Sequence, residues 1–313
     1  MDILQLRYLL AVVDAGSLSQ AAAMLRVSQP ALSQRMTQLE RELDVRLLER
    51  GPRGVRPTRA GLDFSRDARR LVRQFDHLAA SAADRQEVRG LVAVGIPSGA
   101  AVHLAAPLLS WTREHCPGVR LELFESMSGY VEELFGQGRM DLAVVYLDGS
   151  AGRPADGHQD VPLYAEDLYL VGAPPVRPPS DDRIALRDLD GVPIVAPGTR
   201  SSLRALIERA LREERVTPTV VADVESLGTM VRVAERGEAC AILPLSSTSG
   251  ADPALPTRLL EPRLTRHAVV RTAPATSAPR DAVDAVRGGI VAVTRQLAED
   301  GCWPGIRPEG DPA

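Results

Sequence analysis

Residues 16–50 read GSLSQAAAMLRVSQPALSQRMTQLERELDVRLLER, and this stretch decides the fold of the N-terminal part of the chain. Two amphipathic segments are joined by a very short break at residues 26–27. Ser17 can cap the first segment and Ser28 the second, because a serine hydroxyl accepts from the backbone N–H groups that a helix start leaves unpaired. Pro30 falls in the first turn of the second segment, where its missing N–H costs nothing. The pattern predicts two helices joined at a tight corner, as in a helix-turn-helix.

The second segment has one apolar and one polar face. Its apolar residues recur at three- and four-residue spacing and predict a buried stripe of Leu32, Met36, Leu39 and Leu43. The outward side chains near its start are short or carry amides, which suits base edges and phosphates in a major groove. We predict DNA contacts from Ser28, Gln29, Pro30, Ser33, Gln34 and Arg35. The alternative is an ordinary pair of packed helices, because this spacing by itself is a weak signal.

The segment that follows, RLLERGPRGVRPTR at 46–59, holds five arginines against the single acid Glu49. Its glycines and prolines mark turns. A basic, glycine-bearing β-turn after a helix-turn-helix is typical of a wing, and it would place Arg53 and Arg56 in a minor groove or along phosphates. The alternative is a solvated surface loop, which would not need five arginines.

Several motifs in the N-terminal part of the chain are specific enough to indicate a protein family. Residues 1–61 resemble the N-terminal domain of LysR-type transcriptional regulators through LRYLLAVVDAGSLSQAA, VSQPALSQRMTQLE, LLER and RGVRPTRAG. QPALSQ and RGVRPTRAG are most similar to the nitrogen-assimilation-control and aromatic-catabolism branches. The chain departs from the pattern at Gln34, where many members carry Arg, and Arg35 is next. This leaves open which of the two residues contacts DNA.

Residues 59–89 are predicted to form a linker helix and a hinge. Apolar residues at three- and four-residue spacing form a narrow heptad seam that includes Leu71, Phe75 and Leu78. A long helix with one such seam needs a partner. The resemblance implies that it pairs with its copy in a second subunit, and a pseudo-palindromic operator also requires a dimer. The alternative is that the helix lies on the C-terminal part of its own chain. We expect the hinge at 86–90.

From residue 90 onward the chain alternates apolar strands and helices. A β-α-β-α-β series over 91–147 and a second series from about 165 predict parallel sheets with right-handed crossovers. Two such lobes resemble the periplasmic-binding-protein architecture, which serves as the effector-binding domain in LysR-type regulators. The segments GRMDLAVVY, EDLYLVG and ACAILP match best. The expected division is a winged helix-turn-helix at 1–58, the linker at 59–89, an effector-binding domain at 90–300, and a disordered tail at 301–313. Within the effector-binding domain we assign lobe I to 91–163 plus 267–300 and lobe II to 164–266.

Ligands in such folds bind where strands end and helices begin, in the cleft between the lobes. The residues at these positions are Ser98, Gly99, Ala100, Ser128 and Tyr146 from lobe I and Thr199, Arg200, Ser201 and Ser226 from lobe II. Arg200 can clamp a carboxylate with two hydrogen bonds, which makes a small anion the candidate effector. The alternative is that the serines and the threonine only cap helices.

Charge is distributed unevenly along the chain. The net charge is −4, but residues 1–90 contain 15 Arg against 11 acids, a charge of +4, and the remainder holds 22 Arg against 30 acids, a charge of −8. A positive head on a negative body suits a protein that docks one end on DNA phosphates. We expect a cytoplasmic homodimer or dimer of dimers that binds double-stranded DNA and a small effector, with RNA polymerase as a candidate partner.

Other classes of protein are disfavoured. The three cysteines and five histidines lack the spacing of a disulfide framework or metal site, and no apolar run is long enough to span a bilayer. The chain contains no Lys, so it has no P-loop or Schiff-base lysine. We predict no enzymatic activity, cofactor, metal or membrane association. The runner-up is a ligand-binding or assembly module of the same fold without sequence-specific DNA binding.

Overall fold

The computed structural model describes residues 1–51, 54–81, 88–147, 159–174, 182–274, 276 and 278–309. Three helices open the chain: α1 (Ile3–Ala15), α2 (Leu18–Leu25) and α3 (Gln29–Leu43). Ser17 caps α2 by accepting from the Gln20 N–H, and Ser28 caps α3 by accepting from the Ala31 N–H at 3.3 Å. The predicted helix-turn-helix is confirmed.

A two-stranded wing follows, formed by antiparallel β1 (Leu48–Gly51) and β2 (Gly54–Pro57). The Glu40 carboxylate on α3 accepts from the backbone N–H groups of Leu47 and Leu48, at 2.8 and 3.0 Å. On the other side, the Val55 N–H donates to the Gly16 carbonyl at 2.8 Å. These bonds fix the wing to the helices, whose shared core includes Leu9, Leu32, Met36 and Leu39.

The linker helix α4 (Arg59–Ser81) begins directly after the wing. Thr58 accepts from the Gly61 N–H at 2.9 Å, and Gly61 lies so close to the Leu47 carbonyl that a side chain there would overlap it. The helix buries Ala68 and Val72 against α1.

The C-terminal part is an α/β structure. Its helices are α5 (Ser98–His115), α6 (Ser128–Gly136), α7 (Ser202–Glu214), α8 (Leu227–Glu235) and α9 (Arg280–Glu299). Its strands are β3 (Gly90–Pro97), β4 (Val119–Ser126), β5 (Leu142–Leu147), β6 (Gln159–Val171), β7 (Arg183–Ala185), β8 (Pro193–Ala196), β9 (Thr219–Asp223), β10 (Cys240–Pro244), β11 (Thr257–Glu261), β12 (Thr265–Thr272) and β13 (Ile306–Pro308). Short 3₁₀ helices occupy Leu186–Leu189 and Leu245–Thr248.

Two lobes share one strand. Lobe I orders its strands β4-β3-β5-β12-β6, and lobe II continues from the same β6 as β6-β10-β8-β9. The first half of β6 pairs with β12, and its second half pairs with β10. Each lobe has its own buried core. The predicted two-lobed α/β class is confirmed, and β6 positions the lobes relative to one another.

The prediction of a disordered tail from residue 301 is wrong for 301–309. Trp303 is 2% exposed, β13 pairs with β6, and Arg307 donates two hydrogen bonds to Asp167 at 2.8 and 2.9 Å. The Pro and Gly content of this segment indicated a loop. A large aromatic side chain that can be buried outweighs that composition. Residues 310–313 lie outside the described part.

Among the described helices, none combines the length and the apolar character that a membrane crossing requires.

Candidate functional site

The exposed face at the start of α3 gathers most of the predicted DNA-contacting residues. Helical spacing places Gln29 and Ser33 on one flank of this face and Arg35 on the other, with Pro30 and Gln34 between them. All are exposed except Ser33, which is half-buried, and Leu32, Met36 and Leu39 fill the opposite face. Ser28 is exposed and engaged as the helix cap.

The wing contacts this same face. The Arg50 guanidinium on β1 donates from Nη1 to Ser33 Oγ at 2.9 Å. Arg56 is exposed on β2 and faces Glu49 in the ladder. Arg53 lies outside the described residues. Sequence reasoning counted Arg50 only as part of the charge of the segment, because nothing in the pattern shows which arginine reaches α3.

The seam of α4 is divided between two environments. Phe64 and Ala68 pack against α1, whereas Leu71 and Phe75 are 50% and 51% exposed. The Leu78 side chain lies outside the described residues. Two large apolar side chains of the seam therefore remain uncovered in a single chain.

Three helix starts meet at the cleft between the lobes. The N-caps of α5, α6 and α7 are Pro97, Met127 and Ser201, and none of them makes a side-chain cap bond within the described structure. Ser201 is 4% exposed, and its Oγ has no hydrogen-bond partner among the described residues. Ser226 does cap α8, through the Thr229 N–H at 3.3 Å. The capping interpretation therefore fits Ser226 and does not fit Ser201.

The two lobes touch directly across this cleft. Ser128 Oγ and Ser202 Oγ are 3.1 Å apart, and a side chain at Gly129 would overlap the Arg200 carbonyl. The Arg200 guanidinium, predicted to clamp a ligand carboxylate, donates to Glu133 of lobe I at 3.0 Å. A carboxylate of the protein thus occupies the position at Arg200 where a ligand carboxylate was expected.

A cavity of about 260 Å³ lies at this contact. It is lined by Ser126, Met127, Gly129, Tyr130, Glu133, Arg200, Ser201 and Glu225. Only Arg200 and Ser201 of the predicted effector contacts are among them. Thr199 is exposed beside Arg200.

The remaining predicted contacts lie deeper or elsewhere. Ser98 begins α5, and a Cβ placed on Gly99 would lie 3.2 Å from Leu227 and 3.8 Å from Arg266 Nη2. Ala100 is fully buried in the core of lobe I, so its side chain cannot line the cleft as predicted. Helical periodicity explains this, because Ala100 faces inward with Leu104.

Tyr146 is also buried rather than open to the cleft. Its hydroxyl lies 3.0 Å from that of Tyr164, and Arg266 stacks on its ring at 3.7 Å from the centroid. Burial raises the pKa of Tyr146 to about 12. Arg266 in turn donates to Glu166 at 2.7 Å, and Glu166 also accepts from Ser246 at 3.0 Å. Sequence reasoning missed this buried pair, because two residues a hundred positions apart carry no mutual signal.

Comparison with known proteins decides the family. The model for "Bacterial regulatory helix-turn-helix protein, lysR family" matches residues 3–62, and the model for "LysR substrate binding domain" matches residues 85–293. The chain is a member of the LysR family of transcriptional regulators. The predicted resemblance is confirmed, and a ligand-binding or assembly module without sequence-specific DNA binding is not favoured, because both family domains are present.

Relatives agree with this assignment, and solved structures share the fold. The regulator is 34% identical to the nitrogen assimilation regulatory protein nac of Klebsiella aerogenes over 79% of each chain, and 24% identical to BenM of Acinetobacter baylyi over 80% and 82%. Its fold is similar to a full-length OxyR point variant from Pseudomonas aeruginosa, with a TM-score of 0.68, 21% identity and 99% of each chain covered. It is also similar to full-length CbnR complexed with target DNA, with a TM-score of 0.60, 24% identity and coverage of 94% and 100%.

In this regulator a second cavity lies between lobe I and the DNA-binding head, which comprises α1–α3, the wing and the start of α4. Its volume is about 270 Å³. Tyr130 and Glu133 of α6 line both this junction cavity and the cleft cavity. Three residues beyond the end of α6, Arg139 lies 3.8 Å from Asp14 of α1, which is also paired with Arg69 of α4. Helix α6 therefore contacts lobe II through Glu133, and the segment directly after the helix contacts the DNA-binding head through Arg139.

Proposed function

We propose that this LysR-type regulator reads a specific operator through the start of α3 and the wing. Ser28, Gln29, Pro30, Ser33, Gln34 and Arg35 make the contacts from α3, and Arg53 and Arg56 bind phosphates or a minor groove. The supporting observation is the exposed polar face of α3 with the wing bonded to it. As part of this proposal, the role is regulatory rather than catalytic and is exercised in the cytoplasm together with RNA polymerase.

Binding to the DNA upstream of its gene, over a salt series with competitor DNA, tests this proposal. Gln29→Ala and Ser33→Ala should each lower operator affinity by about 1–3 kcal/mol, because base-edge contacts are lost. Gln38→Ala is the matched control, since Gln38 is exposed on α3 beyond its first turns and bonds to Glu42. If all proteins bind weakly and equally here, and selection from random DNA returns no site, the proposal is wrong.

We also propose that the regulator self-associates through two surfaces. Leu71 and Phe75 supply one on α4. The effector-binding domain supplies the other, where Val102 and Leu109 on α5 of lobe I are 66% and 43% exposed. Val220 and Val221 on the edge strand β9 of lobe II are 42% and 53% exposed. Two separate apolar surfaces on one chain suit a dimer of dimers, in which each surface meets a different copy.

We further propose that an anionic effector binds in the interlobe cleft. The start of α7 offers backbone N–H groups, the Arg200 guanidinium and the Ser201 hydroxyl, which has no partner in the described part of the chain. This combination favours a carboxylate or a similar anion. Such a ligand competes with Glu133 for Arg200. Because Glu133 lies on α6, its release alters the helix that leads into the contact between Arg139 and Asp14, and closure of the lobes reaches the DNA by this route.

A further inference from the structure

Arg50 belongs to the face of the wing that meets α3. In a strand, alternate side chains share a face, so Arg50 shares its face with the buried Leu48, and Glu49 points the other way. Arg50 is exposed, outside the core that the wing shares with the helices, and its Nη1 donates to Ser33 Oγ at 2.9 Å. The two side chains are seventeen positions apart in the chain and form one contact at the exposed surface.

The charge of Arg50 is not neutralised within the described part of the chain, where no carboxylate forms an ion pair with it. Its neighbour Glu49 faces Arg56 across the ladder instead. A guanidinium has five N–H donors and no acceptor, so after the bond to Ser33 the others are available to a ligand. Arg50 can therefore bind a ligand that offers hydrogen-bond acceptors.

Ser33 becomes a donor because of the same bond. A hydroxyl has one proton and two lone pairs, and Arg50 occupies one lone pair. The proton of Ser33 has no acceptor among the described residues, and a hydroxyl that already accepts a bond donates more strongly. A second donor, such as the amino group of a base, would meet the adjacent positive charge and is disfavoured.

We propose that Arg50 and Ser33 act as one unit that requires hydrogen-bond acceptors on the base edge they face. This rests on the proposed placement of α3 in the major groove. Guanine presents two acceptors there, N7 and O6, and no donor, whereas cytosine presents only an amino donor. The unit therefore selects guanine and excludes cytosine at one operator position, and Arg50 determines specificity together with Ser33.

Selection of binding sites from random duplex DNA, followed by affinity measurements on single-base variants, tests this. The proteins are the full-length wild type, Ser33→Ala, Arg50→Ala and the double variant, each checked for folding by circular dichroism. The wild type should prefer guanine over cytosine at one position by roughly 5- to 150-fold. Both single variants should lose that preference at the same position. The double variant should lose little more, because the two side chains act together.

Arg56→Ala is the matched control, since Arg56 is an exposed arginine of the same wing without a bond to α3. It should weaken binding to all sequences alike and lower the salt slope by about one. The inference is overturned if Arg50→Ala behaves in this way and retains the guanine preference. It is also overturned if the two single variants relax different positions. A wild type without any preferred sequence would instead refute the proposed operator reading itself.

Discussion

At the scale of single residues, the buried ion pair between Arg266 and Glu166 has a large energetic consequence. The two side chains are 6% and 2% exposed and lie under the cleft, where the lobes join. Replacing Glu166 by Leu leaves a buried guanidinium without its partner. We expect a loss of about 3–5 kcal/mol in the free energy of unfolding, measured with urea.

Two further variants give this measurement its control. Arg266→Met combined with Glu166→Leu should recover much of the loss, because the unpaired charge is gone. Arg212→Gln breaks an exposed pair with Glu208 and should cost no more than about 1 kcal/mol. Equal losses for the buried and the exposed pair would contradict the argument.

Tyr146 gives a prediction about alkaline pH. Its pKa is raised to about 12, mainly by burial, and burial also raises the pKa of Tyr164. An unfolded tyrosine ionises near pH 10, so the folded state binds more protons between pH 10 and 12. The stability supplied by these neutral phenols is complete below pH 10 and falls as the pH rises towards 12.

Ultraviolet titration of the folded protein checks this. The wild type and Tyr146→Phe should give the same tyrosinate absorbance up to about pH 11, since Tyr146 is still protonated there. A smaller absorbance step near pH 10 in the variant would show that Tyr146 ionises normally and would contradict its buried position.

The sequence predicted some site residues well and others poorly, for a physical reason. Gln29, Pro30, Ser33 and Gln34 share a helix face, and helical spacing fixes that face without any knowledge of the rest of the fold. The partner of Arg200 depends on how two lobes meet, and Glu133 is distant in sequence. Local patterns contain no such information.

At the scale of elements, Gly129 allows α6 to pack closely against lobe II. A Cβ at Gly129 would overlap a backbone carbonyl, which cannot move away as a flexible side chain can. Gly129→Ala should therefore separate the lobes at this edge and weaken the contacts of Arg200 and Ser202 with lobe I. Small-angle scattering should show a larger radius of gyration.

Gly136→Ala is the control for this prediction. Gly136 lies in the same helix, and no described atom is within 4 Å of its Cβ position. The two variants make the same chemical change and differ only in the contact with lobe II. If both leave the scattering curve unchanged, the close approach at Gly129 does not hold the lobes together.

Elements with a strong periodic signal were predictable from the sequence, and the C-terminal strand was not. Helices α2 and α3 follow from caps and apolar spacing within themselves. The strand β13 has three residues and exists because β6 offers it a free edge. Trp303 was the one signal in that segment, since a buried tryptophan needs a core to enter, and the surrounding Pro and Gly obscured it.

At the scale of the whole molecule, the uncovered seam of α4 predicts the assembly. Leu71→Glu combined with Phe75→Glu should abolish pairing of the linker helices, because two charges would be buried against their copies. Light scattering should show a smaller particle, and operator affinity should fall because two linked heads bind more tightly than one.

Leu109→Glu separates this interface from the second surface on α5. It should reduce a dimer of dimers to dimers while leaving paired DNA-binding heads and operator affinity largely intact. If the α4 double variant keeps the size and operator affinity of the wild type, the seam does not pair the linker helices.

The way the chain enters and leaves lobe II has a consequence for evolution. It enters after Asp167 and returns at Thr265, and these two residues are partners in the β6–β12 ladder. Lobe II is thus an insertion whose ends already lie side by side, so its replacement by a homologous segment requires no new loop to be closed. Recombination can exchange lobe II of the effector-binding domain as one segment and leave both lobe I and the DNA-binding head unaltered.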